Sequence, residues 1–411
     1  MSNFVRMRKK DMKRKMIHLP VWAALALALG SVQGCTGDEP APPPAPPAEE
    51  VRRTVLVYMV ADNNLGSAGF DQSDIDEMLE AARAGDIGSG RLLVYQAGYA
   101  AKPRLFEIEN GTGDISELRE YEREEGVYSV SSARMKEVFA AMKEEAPAED
   151  YGLVLWSHAT GWIQDGIREP EATPLSFGSD RGRTMNVTTL ASVLEGEDFS
   201  FVYFDCCYMA SVELAYELRN ATPVIAGSAT ELVNTGMRYD LNIGEFFATG
   251  EADIIGAARN TYEYYDSQEG SRRTATMSVV RTAGLERLAR AAREIYLRSE
   301  AGIPEGYTPQ RFMDKSMDAC YYFDLRDYVA ALCAAEPFEG AEAALAEFDA
   351  AMKETVVYSA ATPKLWNRVD LSRHNGLSTY ILRDEASAST KNYNTLSWYA
   401  DVASALFQQE Q

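Results

Sequence analysis

Two segments of this 411-residue chain end an apolar run in a side chain that can do chemistry. LVLWSHATGW (153–162) carries His158, and FVYFDCCYM (201–209) carries Cys206 and Cys207 directly after Asp205. A thiol beside an imidazole supplies a nucleophile and the base that takes its proton, a pairing that unrelated folds converge on for acyl transfer. Side chains alternate faces along an extended chain, so Asp205 and Cys207 point one way and Cys206 the other. A carboxylate does not face a core without a partner. The Asp205 side is therefore the open one, with Cys207 as candidate nucleophile and Cys206 packed beneath. A thiol of ordinary pKa, about 8.5, is only a few per cent thiolate at neutral pH. His158 and the N-terminus of a helix beginning near Met209 would both favour the thiolate, and backbone N–H groups there can receive an oxyanion. A buried cysteine pair or a satisfied histidine at a strand end is ordinary when it occurs alone. Their occurrence at consecutive strand ends of one sheet is what points to a site.

Both runs are β-branched or aromatic and stop where small or polar residues begin, which reads as buried parallel strands. Ligands of such sheets gather at the carboxyl ends of the strands. TVLVYMVADNNL (54–65) reads as a first strand running into a polar loop, QSDIDEMLEAARAG (72–85) as an amphipathic helix and RLLVYQAGYA (91–100) as a second strand. PRLFEIEN (103–110) reads as an edge strand, and SSARMKEVFAAMKEEAP (131–147) as a helix stopped by Pro147. A polar stretch (163–184) and a short helix (187–196) separate the two reactive strands, and a helix (210–220) and a strand (223–229) follow Cys207. Alternation of this kind predicts a parallel, doubly wound α/β sheet. The expected organisation is a leader over 1–34, a Pro-rich linker over 35–52, a catalytic core over 53–240 and a mainly helical region over 241–411. In that last region 284–300 and 340–359 read as long helices, and a late strand near 375–382 is a candidate to rejoin the sheet.

With 46% hydrophobic residues the chain can bury a large core. Seven of its 40 basic residues and one of its 62 acidic ones lie in the first 34 positions, so 33 basic residues face 61 acidic ones in the remainder. So acidic a surface disfavours nucleic acid and anionic membrane as partners. The leader has a basic stretch (RMRKKDMKRK, 6–15), an apolar core (VWAALALALG, 21–30) and SVQGC ending at Cys35, and is too short to span a membrane. Small residues before a cysteine, with PAPPPAPPAEE (40–50) after it, resemble a bacterial lipoprotein signal, which predicts export and a lipid anchor at Cys35 in the cell envelope as the membrane attachment. Translation from Met12 or Met16 would still give a complete leader. Four cysteines and two histidines remain beyond Cys35, with no CxxC pair, which argues against a disulfide framework and a structural zinc site.

The quoted motifs, SHATGW (157–162) and DCCYMASVELAYEL (205–218), resemble those of the clostripain family of cysteine peptidases, which has the caspase-like fold. VYMVADNNL (57–65), SATELVNTGMRYD (228–240), FDLRDYV (323–329) and GLSTYI (376–381) support the resemblance, which spans nearly the whole mature chain. It implies a caspase-like α/β/α sandwich with a mostly parallel sheet, and an exported endopeptidase working through a thioester acyl-enzyme on protein or peptide substrates. By position, Cys207 is implied as nucleophile and His158 as general base and acid. The backbone N–H groups of Cys207 and Ala159 are the implied oxyanion hole, where Ala159 stands in place of a frequent Gly. Asp205 is the implied S1 carboxylate for Arg or Lys. A second acidic S1 residue falls on no single position, with Glu231 and Asp240 as candidates. Some relatives cut themselves between the His and Cys strands, where Arg168, Arg181 and Arg183 lie. No cofactor is implied, although some relatives need calcium and the acidic loops could supply oxygen ligands without any EF-hand spacing. The competing reading is a catalytically silent surface lipoprotein of the same fold that binds a peptide or protein, which has no reason to keep both Cys207 and His158.

Overall fold

The structure, a computed structural model, describes residues 51–163, 176–313, 320–335 and 338–408, with Thr390 and Lys391 described in the backbone only. Its first half runs β1 (Arg53–Val60), α1 (Asn64–Ser67), α2 (Phe70–Ala84), β2 (Arg91–Ala97), β3 (Arg104–Ile108), β4 (Ile115–Glu120), α3 (Ser132–Glu145) and β5 (Asp150–Trp156). A hairpin of β6 (Phe177–Asp180) and β7 (Arg183–Met185) leads to α4 (Val187–Leu194), β8 (Phe199–Asp205), α5 (Val212–Glu217) and β9 (Val224–Gly227). Then come α6 (Tyr239–Phe246), α7 (Ile254–Asp266), β10 (Thr276–Arg281), α8 (Leu285–Tyr296), β11 (Phe323–Asp324), α9 (Leu325–Ala335), α10 (Ala341–Thr355) and β12 (Val356–Ala361).

Nine strands form one sheet in the order β12-β10-β9-β8-β5-β1-β2-β3-β4. The five apolar runs at its centre pair in parallel, and the strands toward both edges pair antiparallel. Alternation along the strands splits the core in two. Leu56, Tyr58, Leu93, Leu155, Phe204 and Cys206 face α3, α4, α5 and α8, whereas Val57, Met59, Val94, Trp156 and Tyr203 face α2, α6 and α7. Each aliphatic or aromatic side chain so buried contributes about 1.5–3 kcal/mol. This is the expected α/β/α sandwich.

Three elements differ from the sequence reading. PRLFEIEN is not the edge, because β4 pairs outside it. The stretch 340–359 is not one helix: α10 stops at Thr355, and the following β-branched and aromatic residues Val356, Val357 and Tyr358 enter β12. The late strand near 375–382 shrinks to Ser378–Thr379, paired with β11 rather than with the central sheet. Its backbone is bonded elsewhere, since Ser378 N–H donates to Ala210 O (2.9 Å) and Tyr380 N–H to the Glu213 carboxylate (2.9 Å). Moreover β10 and β12, from beyond residue 240, share the sheet with β1 and β8, so position 240 does not divide the sheet.

Candidate active site

The sheet register brings His158 and Cys207 together. β5 and β8 are parallel neighbours with Trp156 opposite Asp205, and each reactive residue lies two positions beyond its strand's last paired residue. Strands run about 4.8 Å apart. Equal overshoot on adjacent strands therefore delivers an imidazole and a thiol to one spot at the carboxyl edge.

The loop carrying His158 is gripped from one side by the β6–β7 hairpin. Gly178 N–H donates to His158 O (2.9 Å) and Thr160 N–H to Ser176 O (3.2 Å), a bridge that leaves the Ala159 N–H out of its bonding. Ser157 Oγ donates to Val60 O (2.7 Å) and accepts from Ser179 N–H (3.1 Å), which joins the ends of β1 and β5 to the hairpin. His158 Nε2 lies 2.7 Å from Asn64 Oδ1, the first residue of α1. Burial lowers the proton affinity of His158.

After Cys207 the chain turns sharply. Tyr208 takes a left-handed conformation (φ 60°), and Gly161 packs against it so closely that a Cβ there would sit 2.4 Å from Tyr208 O. Because of this turn the helix begins at Val212 rather than near Met209, with Ser211 Oγ capping it by accepting Leu214 N–H (3.2 Å). The Cys207 thiol accepts an N–H from Leu232 (3.3 Å). Burial pushes this thiol up to about 12, against the Leu232 N–H that lowers it. In this closed conformation desolvation therefore works against the thiolate that the neighbouring groups favour. Cys206 points into the opposite core as expected, its thiol donating to Leu155 O (3.1 Å).

Asp205 is 5% exposed and lines the same cleft. Its Oδ1 accepts Met237 N–H (3.0 Å), and the Tyr239 hydroxyl stands beside the carboxylate as a further hydrogen-bonding neighbour. The cleft holds only about 30 Å³. Leu232 covers the thiol and Gly236 covers the carboxylate, for a Cβ on Gly236 would lie 2.5 Å from Asp205 Oδ2. Of the two candidates for a second S1 carboxylate, Asp240 is engaged by Arg238 (2.8 and 2.6 Å) and Glu231 accepts from Trp366 Nε1 (2.8 Å). Neither faces Asp205 in these bonds.

Cys35 and Arg168 lie outside the described residues. Arg181 and Arg183 lie at the turn of the hairpin that grips the His158 loop. The Arg181 guanidinium is held by Asp180 (2.9 Å) and by the carbonyls of Glu124 (3.1 Å) and Val127, over the Tyr128 ring. Among the described residues no group of three or more His, Cys, Asp or Glu side chains is arranged to hold a metal ion, and no helix is long and apolar enough to cross a membrane. Asn64 is the contact that sequence reasoning missed; ADNNL was legible only as a polar loop after a strand.

The pattern that describes the clostripain family, peptidase C11, matches residues 57–410. Among solved structures the chain is similar to an inactive zymogen C11 protease from Parabacteroides distasonis, at 28% identity and a TM-score of 0.73 over 86% of this chain and 99% of that one. It is also similar to a secreted C11 cysteine protease from Bacteroides thetaiotaomicron bound to an irreversible peptide inhibitor, at 27% identity and a TM-score of 0.70 over 87% and 99% of the two chains. A secreted C11 cysteine protease of the same organism, iotapain, shares the fold at 23% identity and a TM-score of 0.73 over 86% and 99%. No curated protein matches the chain.

Proposed function

Because this chain belongs to the clostripain family of cysteine peptidases, we propose that it hydrolyses peptide bonds through Cys207 and His158, after an Arg or Lys whose side chain Asp205 receives. The supporting observation is the equal overshoot of the two residues beyond the Trp156–Asp205 pair, beside a buried carboxylate that lines the same cleft. His158 takes the thiol proton as sulfur attacks the scissile carbonyl carbon. The carbonyl electron pair moves to oxygen, where the N–H groups of Cys207 and Ala159 receive the charge. Collapse expels the amine, which takes the proton from His158 and leaves a thioester on Cys207. Water then gives a proton to His158 while attacking the thioester, and the acid leaves as the thiol is restored. Arg suits Asp205 because a guanidinium meets a carboxylate with two parallel hydrogen bonds.

A 30 Å³ cleft has room for about one water, so substrate enters only after the 232–236 segment withdraws. That closed arrangement fits a precursor, as the Parabacteroides relative is described. We place activating self-cleavage after Arg168 rather than Arg181 or Arg183. The Arg181 side chain is already engaged, and cutting the hairpin would release the His158 loop. Export and a lipid anchor at Cys35 complete the reading, with protein or peptide substrates and no nucleic acid. Calcium is kept as a variable of the assay.

The test is the chain from Thr36 onward, beside Cys207→Ala, on fluorogenic peptides with Arg, Lys, Asp, Asn or Leu before the cleaved bond, with calcium or chelator, and with sequencing of any new N-terminus. Turnover confined to Arg and Lys and lost in the mutant is expected. Cleavage after another residue would remove the role of Asp205. Silence on every peptide, with the 163–184 loop nicked, would favour the silent binding protein.

A further inference from the structure

The two reactive loops are joined by one side chain from far along the sequence. Tyr322 is 1% exposed, and its ring stacks on that of Tyr208, with centroids 4.3 Å apart and planes 12° from parallel. Its hydroxyl donates to Thr160 O. Tyr208 directly follows Cys207, and Thr160 stands two residues beyond His158, so one buried phenol touches both turns. Thr160 is held from the other side as well, where its N–H donates to Ser176 O (3.2 Å). Tyr208 is left-handed (φ 60°), a conformation that a bulky residue keeps only where its surroundings impose it. The segment carrying Tyr322 is itself anchored. Tyr322 O accepts Phe312 N–H (2.9 Å), and Phe323 pairs with Thr379 in the short strand whose Ser378 N–H donates to Ala210 O (2.9 Å).

Resting on the reading of Cys207 and His158 as nucleophile and base, we propose that Tyr322 is a positioning residue of the peptidase, a strut that sets the distance between thiol and imidazole. Proton transfer between the two groups needs hydrogen-bond reach, and a displacement of about 1 Å that originates far from the reacting atoms costs on the order of 100-fold in rate. A ring packed flat on Tyr208 fixes the loops along one direction, and the hydroxyl on Thr160 O fixes them along another. The close approach of Gly161 to Tyr208 O limits how near the turns come, whereas Tyr322 limits how far they part. Burial first, and the Glu213 carboxylate second, hold the Tyr322 phenol well above its usual pKa, so the hydroxyl stays a donor at every pH where the peptidase works.

The experiment compares the active enzyme with Tyr322→Phe, which keeps the stack and loses only the bond to Thr160 O, and with His158→Ala. Turnover is read on a fluorogenic peptide, and alkylation of Cys207 by iodoacetamide is followed by mass spectrometry from about pH 5 to 9. Tyr322→Phe should lower kcat about ten-fold with KM little changed, and raise the midpoint of the alkylation profile by about one pH unit while its high-pH limit holds. A lower kcat with an unmoved midpoint makes Tyr322 a packing residue only and overturns the proposal, as does an unchanged kcat. A midpoint raised in His158→Ala but not in Tyr322→Phe overturns this inference alone. A midpoint unmoved in both variants overturns the reading of the Cys–His pair itself. If Tyr322→Phe fails to fold, Tyr208→Leu decides, because it removes the stack from the other side. A raised midpoint is expected there, and an unmoved one rejects the strut.

Discussion

In the proposed mechanism Asn64 sets which nitrogen of His158 acts as the base. In the tautomer that carries its proton on Nε2, the Asn64 amide oxygen 2.7 Å away accepts it and the lone pair on Nδ1 is left for the thiol. Asn64→Ala should therefore lower kcat by about 10- to 100-fold with KM little changed, as loss of an orienting partner does elsewhere. Asn64→Asp keeps the acceptor, and its charge raises the His158 pKa, so the acid limb of the kcat/KM profile moves to higher pH. Full kcat in Asn64→Ala would show that the ring is oriented by other contacts. The placement of Cys207 and His158 just past adjacent strand ends was legible because strand ends are encoded locally, by where an apolar run stops. The Asn64 contact joins residues 94 positions apart, and Asp74 meets Trp156 across 82; no local pattern records such meetings. The direction of the Cys207 pKa shift was illegible for the same reason, since burial belongs to the folded molecule.

At the scale of elements, the site depends on two turns that lean on one another. Gly161 combines φ 58° with a 2.4 Å approach of any Cβ to the carbonyl of Tyr208, which itself is left-handed. Gly161→Ala must then shift the turn after the nucleophile, at a cost of about 1–3 kcal/mol. We expect a lower Tm in differential scanning calorimetry and a loss of kcat larger than the loss of stability explains. An active variant of wild-type Tm would mean that the two turns adjust independently. The parallel centre of the sheet was readable because its strands are continuous apolar runs. β10 and β12 were not, for they lie at the antiparallel edge, where pairing partners select the strand, and VVY follows a helical pattern without a break. The sharp stop of NGLSTYIL follows likewise from its bonds to Ala210 and Glu213.

The whole molecule carries a pH dependence whose sign follows from its buried acids. Burial pushes Asp324 up to about 7 and raises Asp74, Asp205 and Glu213. Unfolded carboxyls titrate near pH 4, so above that the folded chain binds more protons, and its stability falls as pH rises through the folded values. His158 and His374, both lowered by burial, act oppositely, but only below about pH 6.5, where unfolded imidazoles gain protons. From pH 6.5 to 8.5 the carboxyls alone set the slope, and the raised thiols of Cys206 and Cys207 add the same sign at its upper end. A fall in Tm of about 5 °C across that interval is expected, and a flat or rising Tm would contradict it. The closed cleft has one more consequence. Oxidants attack the thiolate, and the desolvation that raises the Cys207 pKa in the closed cleft works against its forming. If the chain is exported as proposed, the sulfur is at greatest risk while the cleft is open. Such a protein ages by use and not by time.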